Sequence, residues 1–342
     1  MTPSRIRYER LATEQVNRAS RALDLLTPLR IALLMNREDR RAVLAVARVR
    51  RQIATAVETI VAALRRRGRL FFVGAGTSGR LGVLEAAECP PTFGTPRRLV
   101  QAIIAGGHAA VFRSREGAED DARAAARAVG TRVRPGDVVV GVSASGVTPF
   151  VRAALATARR RGARTVLVAC NPPPTRDARA DVVIAPAPGP EVLAGSTRLK
   201  AGTATKLVLN TLTTATMARL GKVYGNRMVD LQPRSAKLRE RAVRLIAEIA
   251  GVRPPLARRA LAESGGSVRV AIVMARYGLS RRRAARVLRD AGGSLRGVLQ
   301  RPRRKELTRT RTGPSLKAKR SQPKGRTIAA AVSQNVPFLQ KA

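Results

Sequence analysis

Residues 71–94, FFVGAGTSGRLGVLEAAECPPTFG, set Gly74, Gly76 and Gly79 directly after a short apolar run, with the hydroxyls of Thr77 and Ser78 between the last two glycines. Where a strand hands over to a helix, first-turn N–H groups and the positive end of the helix dipole converge. Hydroxyls placed there suit an anion. The Gly-x-Gly-x-x-Gly spacing also occurs in dinucleotide folds, but that use wants an acid roughly 20 residues on, at the end of the next strand, to hold the ribose. The stretch in question, TPRRLVQAIIAGG, has no acid. Glu85 and Glu88 come too early, and only Arg97 or Arg98 leaves an NADP variant open. A second loop repeats the design: VVVGVSASGVTPF runs from an apolar stretch through Ser143, Ser145, Gly146 and Thr148 into a helical pattern. Either loop alone reads as an ordinary helix N-cap. Two of them at the carboxyl ends of strands in one sheet favour a sugar-phosphate pocket.

The elements that must position these loops follow from a change of period. Residues 9–67 space their apolar side chains three and four apart, which predicts helices with breaks at Pro28 and around Asn36. From residue 69, short runs rich in Val and Ile alternate with helical segments: RLFFVGAG, RLVQAIIAGG, DVVVGVSAS, RTVLVACN and DVVIAPAP. Runs apolar along their whole length indicate strands buried on both faces. The expected fold class is therefore α/β, a doubly wound and mostly parallel sheet. Its domain spans about residues 45–240, after an N-terminal helical segment at 1–44. Residues 241–300 read as a small helical module punctuated by Gly and Pro, and 301–342 as a basic, disordered tail.

Composition limits the function classes. The 342 residues are 44% hydrophobic but only 3% aromatic, with no Trp, so a sizeable core must be built from Ala, Val, Leu and Ile. Neither a membrane-length apolar run nor a signal-peptide pattern is present, which leads to the expectation of a cytoplasmic protein. Cys89 and Cys170 read as reduced thiols. The single histidine, His108, leaves no His-based metal site or triad to build. A net charge of +44 suggests polyanions as partners. Arginine is nevertheless spread over helix after helix, which reads as solvated faces. Only the tail, with twelve Lys or Arg against Glu306, concentrates charge, and weak non-specific polyanion binding is expected there.

With these residues in view, GAGTSGRLGVLEAAECPPTFG resembles the signature of the N-acetylmuramic acid 6-phosphate etherases, cytoplasmic bacterial enzymes built on a sugar isomerase (SIS) domain. The resemblance extends through TEQVNRAS, NRED, EGAEDD, GVSASGVTPFV, ACNPP, GPEVLAGSTRLKAGTATKLVLN and GKVYGNRMVDL, over roughly residues 10–300. It implies removal of D-lactate from N-acetylmuramic acid 6-phosphate by elimination and rehydration, with no cofactor or metal. Such chemistry needs two carboxyl groups in different protonation states. By resemblance, Glu88 protonates the leaving lactate and Glu119 takes the proton from carbon 2. Phosphate binding falls by resemblance to Ser78, Ser143, Ser145 and Thr148, with Thr77 and Gly79 shaping the first turn, and Lys200 supplies positive charge near the sugar or its phosphate. A homodimer is also implied, each subunit completing its neighbour's pocket.

Read from the residues alone, the assignments are plainer. Glu119, Asp120 and Asp121 open a helix where acids face its dipole favourably, Glu88 has Arg80 nearby as an ion-pair partner, and Glu85 reads as structural. The chain also departs from the family's usual S-G-R-T-P-Y: Val147 stands for the arginine and Phe150 for the tyrosine. A non-catalytic sugar-phosphate sensor, as in the glucokinase regulatory proteins, is the alternative function.

Overall fold

The computed structural model describes residue 9, residues 11–171 and residues 180–300. The basic tail 301–342 lies outside the described residues, as does the expectation attached to it. Before the sheet come α1 (Pro28–Arg48) and α2 (Arg50–Arg65). The alternating part follows: β1 (Leu70–Gly74), α3 (Gly76–Phe93), β2 (Val100–Ile104), α4 (Ala109–Phe112), α5 (Ala122–Arg132), β3 (Val138–Ser143), α6 (Pro149–Arg160), β4 (Arg164–Ala169), β5 (Val182–Ile184) and α7 (Lys200–Arg219).

All five apolar runs are strands, paired in parallel in the order β2-β1-β3-β4-β5. Successive side chains point to opposite faces. Leu70 and Phe72, with Val138, Val140, Val166 and Val168, pack against α2, α3 and α7. Phe71, Val73, Val139 and Leu167 pack on the other face, against α5 and α6. That double cover is why the runs have no polar alternation. Each Val, Leu or Phe so buried contributes about 1.5–3 kcal/mol of transfer free energy.

Two helical expectations are corrected. Helix α1 begins at Pro28, which sits in its first turn with Thr27 as cap, and then continues unbroken through Asn36. Asn36 is exposed, so its side chain meets water rather than competing for the backbone. Burial of Leu34, Ala42 and Ala45 carries the helix past it. Residues 12–25 form three single turns of 3-10 helix instead of a continuous helix.

A two-stranded hairpin, β6 (Val223–Tyr224) and β7 (Arg227–Met228), leads to α8 (Ala236–Ala250), α9 (Pro254–Glu263), α10 (Val268–Tyr277), α11 (Arg281–Asp290) and α12 (Leu295–Leu299). These helices enclose an apolar cluster of their own around Ile246 and Ile272. Asp230 ties this region down, accepting from Lys222 at 2.7 Å and pairing with Arg269. No helix among the described residues is long and apolar enough to cross a membrane.

Candidate functional site

Strand order reverses between β1 and β3, and in an open α/β sheet the crevice outside the carboxyl ends at such a reversal is where ligands sit. Gly74 pairs with Val142 in register, so both hydroxyl loops emerge at that crevice, side by side. The geometry of the first explains its glycines. Gly76 adopts φ +52°, a left-handed conformation at the strand-to-helix turn. Gly74 and Gly79 face each other so closely that a Cβ on Gly79 would lie 2.7 Å from the Gly74 carbonyl oxygen and 2.6 Å from Ile104 Cγ1. The third glycine therefore serves close strand-helix packing and leaves Thr77 and Ser78, both half-buried, at the open end of α3. Gly79→Ala is expected to cost at least about 1–3 kcal/mol through overpacking against backbone that cannot retreat. Chemical denaturation at constant m-value checks this.

In the second loop the hydroxyls already hold one another. Ser143 Oγ lies 2.7 Å from Thr148 Oγ1 and 3.2 Å from Ser145 Oγ. The Gly146 N–H donates to Ser143 Oγ at 3.0 Å, and the Val147 N–H to Ser145 Oγ at 3.2 Å. Val147 and Phe150 are buried, at 4% and 2% exposure, so the two departures from the family pattern add apolar bulk to the core beside this loop.

Both glutamates are exposed, and neither side chain takes part in a hydrogen bond or ion pair within the described residues. The alternative partner of Glu88 is engaged elsewhere, because Arg80 Nε donates to the Val111 carbonyl at 2.9 Å. That bond ties α3 to the segment that carries Glu119, which lies in a single 3-10 turn, Ala118–Asp120, between α4 and α5. The helix N-cap itself is Asp121, accepting from the Ala124 N–H at 2.7 Å. Capping is thus done by the second residue after Glu119, and the glutamate is left free. A groove of about 1420 Å³ along the open edge of β2 is walled by Ala87 and Pro90 near Glu88 and by Gly117 and Ala118 before Glu119. It touches none of the loop hydroxyls. His108 lines the same groove and stands against Phe112, ring centroids 5.7 Å apart.

Glu85, one turn before Glu88, is buried and bound to α7, accepting from Lys206 Nζ at 2.6 Å and Thr213 Oγ1 at 2.7 Å. Both cysteines are buried, and burial pushes each thiol up to about 12, far from reactive thiolate character.

Lys200 stands differently from the expectation of a charge near the sugar or its phosphate. It is fully buried at the start of α7, and its Nζ donates to Glu38 Oε2 at 2.7 Å. Its backbone N–H and that of Ala201 both donate to Glu191 at 2.9 Å, so a buried carboxylate caps α7. Burial pushes Glu191 upward despite these bonds. For Glu38 burial acts in the same direction, but the hydrogen bonds from Lys200 and Asn17 outweigh it and hold its carboxyl below the ordinary range. Glu38, Glu191 and Asn17 were not among the residues expected from the sequence. One signal was readable: Leu34, Glu38, Ala42 and Ala45 follow helical spacing, which puts Glu38 on the buried stripe.

Comparison with known proteins decides the family. The chain is 54% identical, over 77% of its own length and 88% of the relative's, to the N-acetylmuramic acid 6-phosphate etherase of Symbiobacterium thermophilum. The chain belongs to the N-acetylmuramic acid 6-phosphate etherase family. The etherase of that name from Trichormus variabilis is 52% identical over 84% of this chain and 94% of its own. The SIS domain profile matches residues 120–215, and that of the glucokinase regulatory protein N-terminal SIS domain matches residues 52–159. The latter is a likeness of one domain, whereas the likeness to the etherases covers most of both chains.

Proposed function

We propose that this chain cleaves the D-lactyl ether of N-acetylmuramic acid 6-phosphate, giving N-acetylglucosamine 6-phosphate and D-lactate. The single observation that carries the proposal is identity near one half to etherases over most of both chains. The site chemistry agrees with it. An alkoxide is a poor leaving group, so an ether is more readily opened by elimination than by direct hydrolysis. In the ring-opened sugar, the carbon 2 proton lies beside an aldehyde. Glu119 takes that proton, the electron pair forms the carbon 2–carbon 3 double bond, and the carbon 3–oxygen bond breaks as Glu88 protonates the departing lactate. Water then adds to the double bond at carbon 3, and carbon 2 regains a proton. In this reading the enzyme is a carbon-oxygen lyase, and the two glutamates have the opposed protonation states that the two steps require.

The 6-phosphate is assigned to Ser78, Ser143, Ser145 and Thr148, with Thr77 and Gly79 shaping the first turn. Free N–H groups at the starts of α3 and α6, together with these hydroxyls, support that assignment. Residues 241–300 are read as a helical module beside the SIS domain, and the protein as cytoplasmic, where a recycled cell-wall sugar is handled. A homodimer is the proposed working form. The outer face of α1 supports it, since Leu29, Leu33, Val43 and Leu44 are each more than half exposed. So does the separation of Ser78 from Glu88, ten residues apart on one helix and about 15 Å along its axis, which a Glu88 from the second subunit would relieve. The activity is tested by D-lactate release from the substrate alone. A folded protein that binds the sugar phosphate and releases no lactate would favour a regulatory role.

A further inference from the structure

Two hydrogen-bonded pairs of buried polar residues, Thr13 with Asn171 and Asn17 with Glu38, are joined by the backbone between Thr13 and Asn17. Asn171 follows β4, and its Nδ2 donates to two acceptors. One is the carbonyl of Ala144, the residue between Ser143 and Ser145, at 3.0 Å, and the other is Thr13 Oγ1 at 3.1 Å. The Thr13 carbonyl in turn accepts from the Gly195 N–H at 3.1 Å. Four residues on, Asn17 Nδ2 donates to Glu38 Oε2 at 2.8 Å and to the Pro190 carbonyl at 3.2 Å. Glu38 accepts from Lys200, whose helix brings Gly202 to the first loop: a Cβ there would lie 3.9 Å from Thr77 Cγ2.

The segment from Thr13 to Ser20 is thus linked indirectly to both loops. It reaches the second loop through Asn171, and the first through Glu38, Lys200 and the opening turn of α7. A fully buried lysine-glutamate pair is poor value as a source of stability, because desolvating both charges cancels most of their attraction. It does fix geometry, since Glu38 cannot turn away without leaving the Lys200 charge buried and unpaired, although Arg41 also pairs with Glu38 from the surface at 3.2 Å.

We infer that the N-terminal segment is a strap whose Thr13 and Asn17 are positioning residues for the phosphate-binding loops. The inference rests on the assignment of the sugar phosphate to those loops. Loop hydroxyls that hold the phosphate do so equally in the ground and transition states. Loosening them therefore weakens substrate binding and leaves the chemical step alone.

The test is Thr13→Val, which keeps the shape and removes the hydroxyl that Asn171 uses. KM is expected to rise about tenfold, because the second loop loses the hydroxyl that anchors it through Asn171. kcat should stay within about twofold, the melting temperature should fall by no more than a few degrees, the cost of one buried donor losing its acceptor, and Thr13→Ser should restore KM. A Thr13→Val enzyme with unchanged KM, or one whose only defect is a smaller folded fraction, overturns the inference. A second measurement needs no variant. Amide hydrogen exchange of the intact protein, with and without saturating inorganic phosphate, should slow in residues 143–148 and also in residues 11–20, which are linked to them. Slowing confined to the loops overturns the inference. The exchange result does not depend on whether lactate is released, so failure of the strap and failure of the etherase reading are told apart.

Discussion

Replacing Glu88 by alanine is expected to lower D-lactate release by a factor of about 10³ or more, the range lost when a positioned general acid is removed from a poor leaving group. The variant should fold normally, because the Glu88 side chain is exposed and holds no partner within the described residues. Its defect should also be selective. The carbon 2 proton of N-acetylglucosamine 6-phosphate can be exchanged with solvent without any leaving group, so Glu88→Ala should retain exchange at that carbon. Proton magnetic resonance of the product sugar in heavy water reads this directly. Full etherase activity in Glu88→Ala would remove the glutamate from the mechanism. Neighbouring Glu85 provides the contrast. Its carboxylate is bound by Lys206 and Thr213, so Glu85→Ala should lose stability rather than a chemical step.

The second large effect is expected at Glu119. As the base that opens the reaction, it serves both elimination and exchange, so Glu119→Gln should abolish lactate release and carbon 2 exchange together, each by about 10²–10⁴. Glutamine preserves the size of the side chain, and Asp121 continues to cap α5. Circular dichroism and melting temperature should therefore match the parent. A Glu119→Gln protein that still exchanges carbon 2 would assign the base elsewhere. The pair of variants also probes assembly. If one subunit supplies Glu88 to its neighbour's phosphate loops, mixing Glu88→Ala with a Ser145→Ala variant should regain activity through mixed dimers, whereas subunits with self-contained sites would regain none.

Much of this arrangement was readable in the sequence because the relevant forces are local. Five apolar runs gave five parallel strands, since a strand covered on both faces has no polar side to display. The glycine loop was readable because Gly74, Gly76 and Gly79 lie within six residues and serve one turn. What was hidden depends on contacts distant in sequence. Lys200 and Glu38 are 162 positions apart, and although helical spacing puts Glu38 on a buried stripe, nothing near Lys200 signals that it is consumed by an internal pair. The break expected near Asn36 failed for a related reason: tertiary packing of Leu34 and Ala42 outweighed a weak local preference. Residues 12–25 went the other way. Their apolar spacing was helical, but Thr13 and Asn17 are drawn inward by long-range hydrogen bonds, and only single 3-10 turns survive.

The central claim is that lactate leaves by elimination at the sugar's carbon 3, so the bond that breaks joins that carbon to the ether oxygen. The most direct measurement supplies the purified protein with N-acetylmuramic acid 6-phosphate in heavy-oxygen water containing deuterium and locates the isotopes by mass spectrometry. The account predicts unlabelled oxygen in the lactate, heavy oxygen at carbon 3 of the N-acetylglucosamine 6-phosphate, and deuterium at its carbon 2. Heavy oxygen in the lactate, or lactate released with no deuterium at carbon 2, would contradict it.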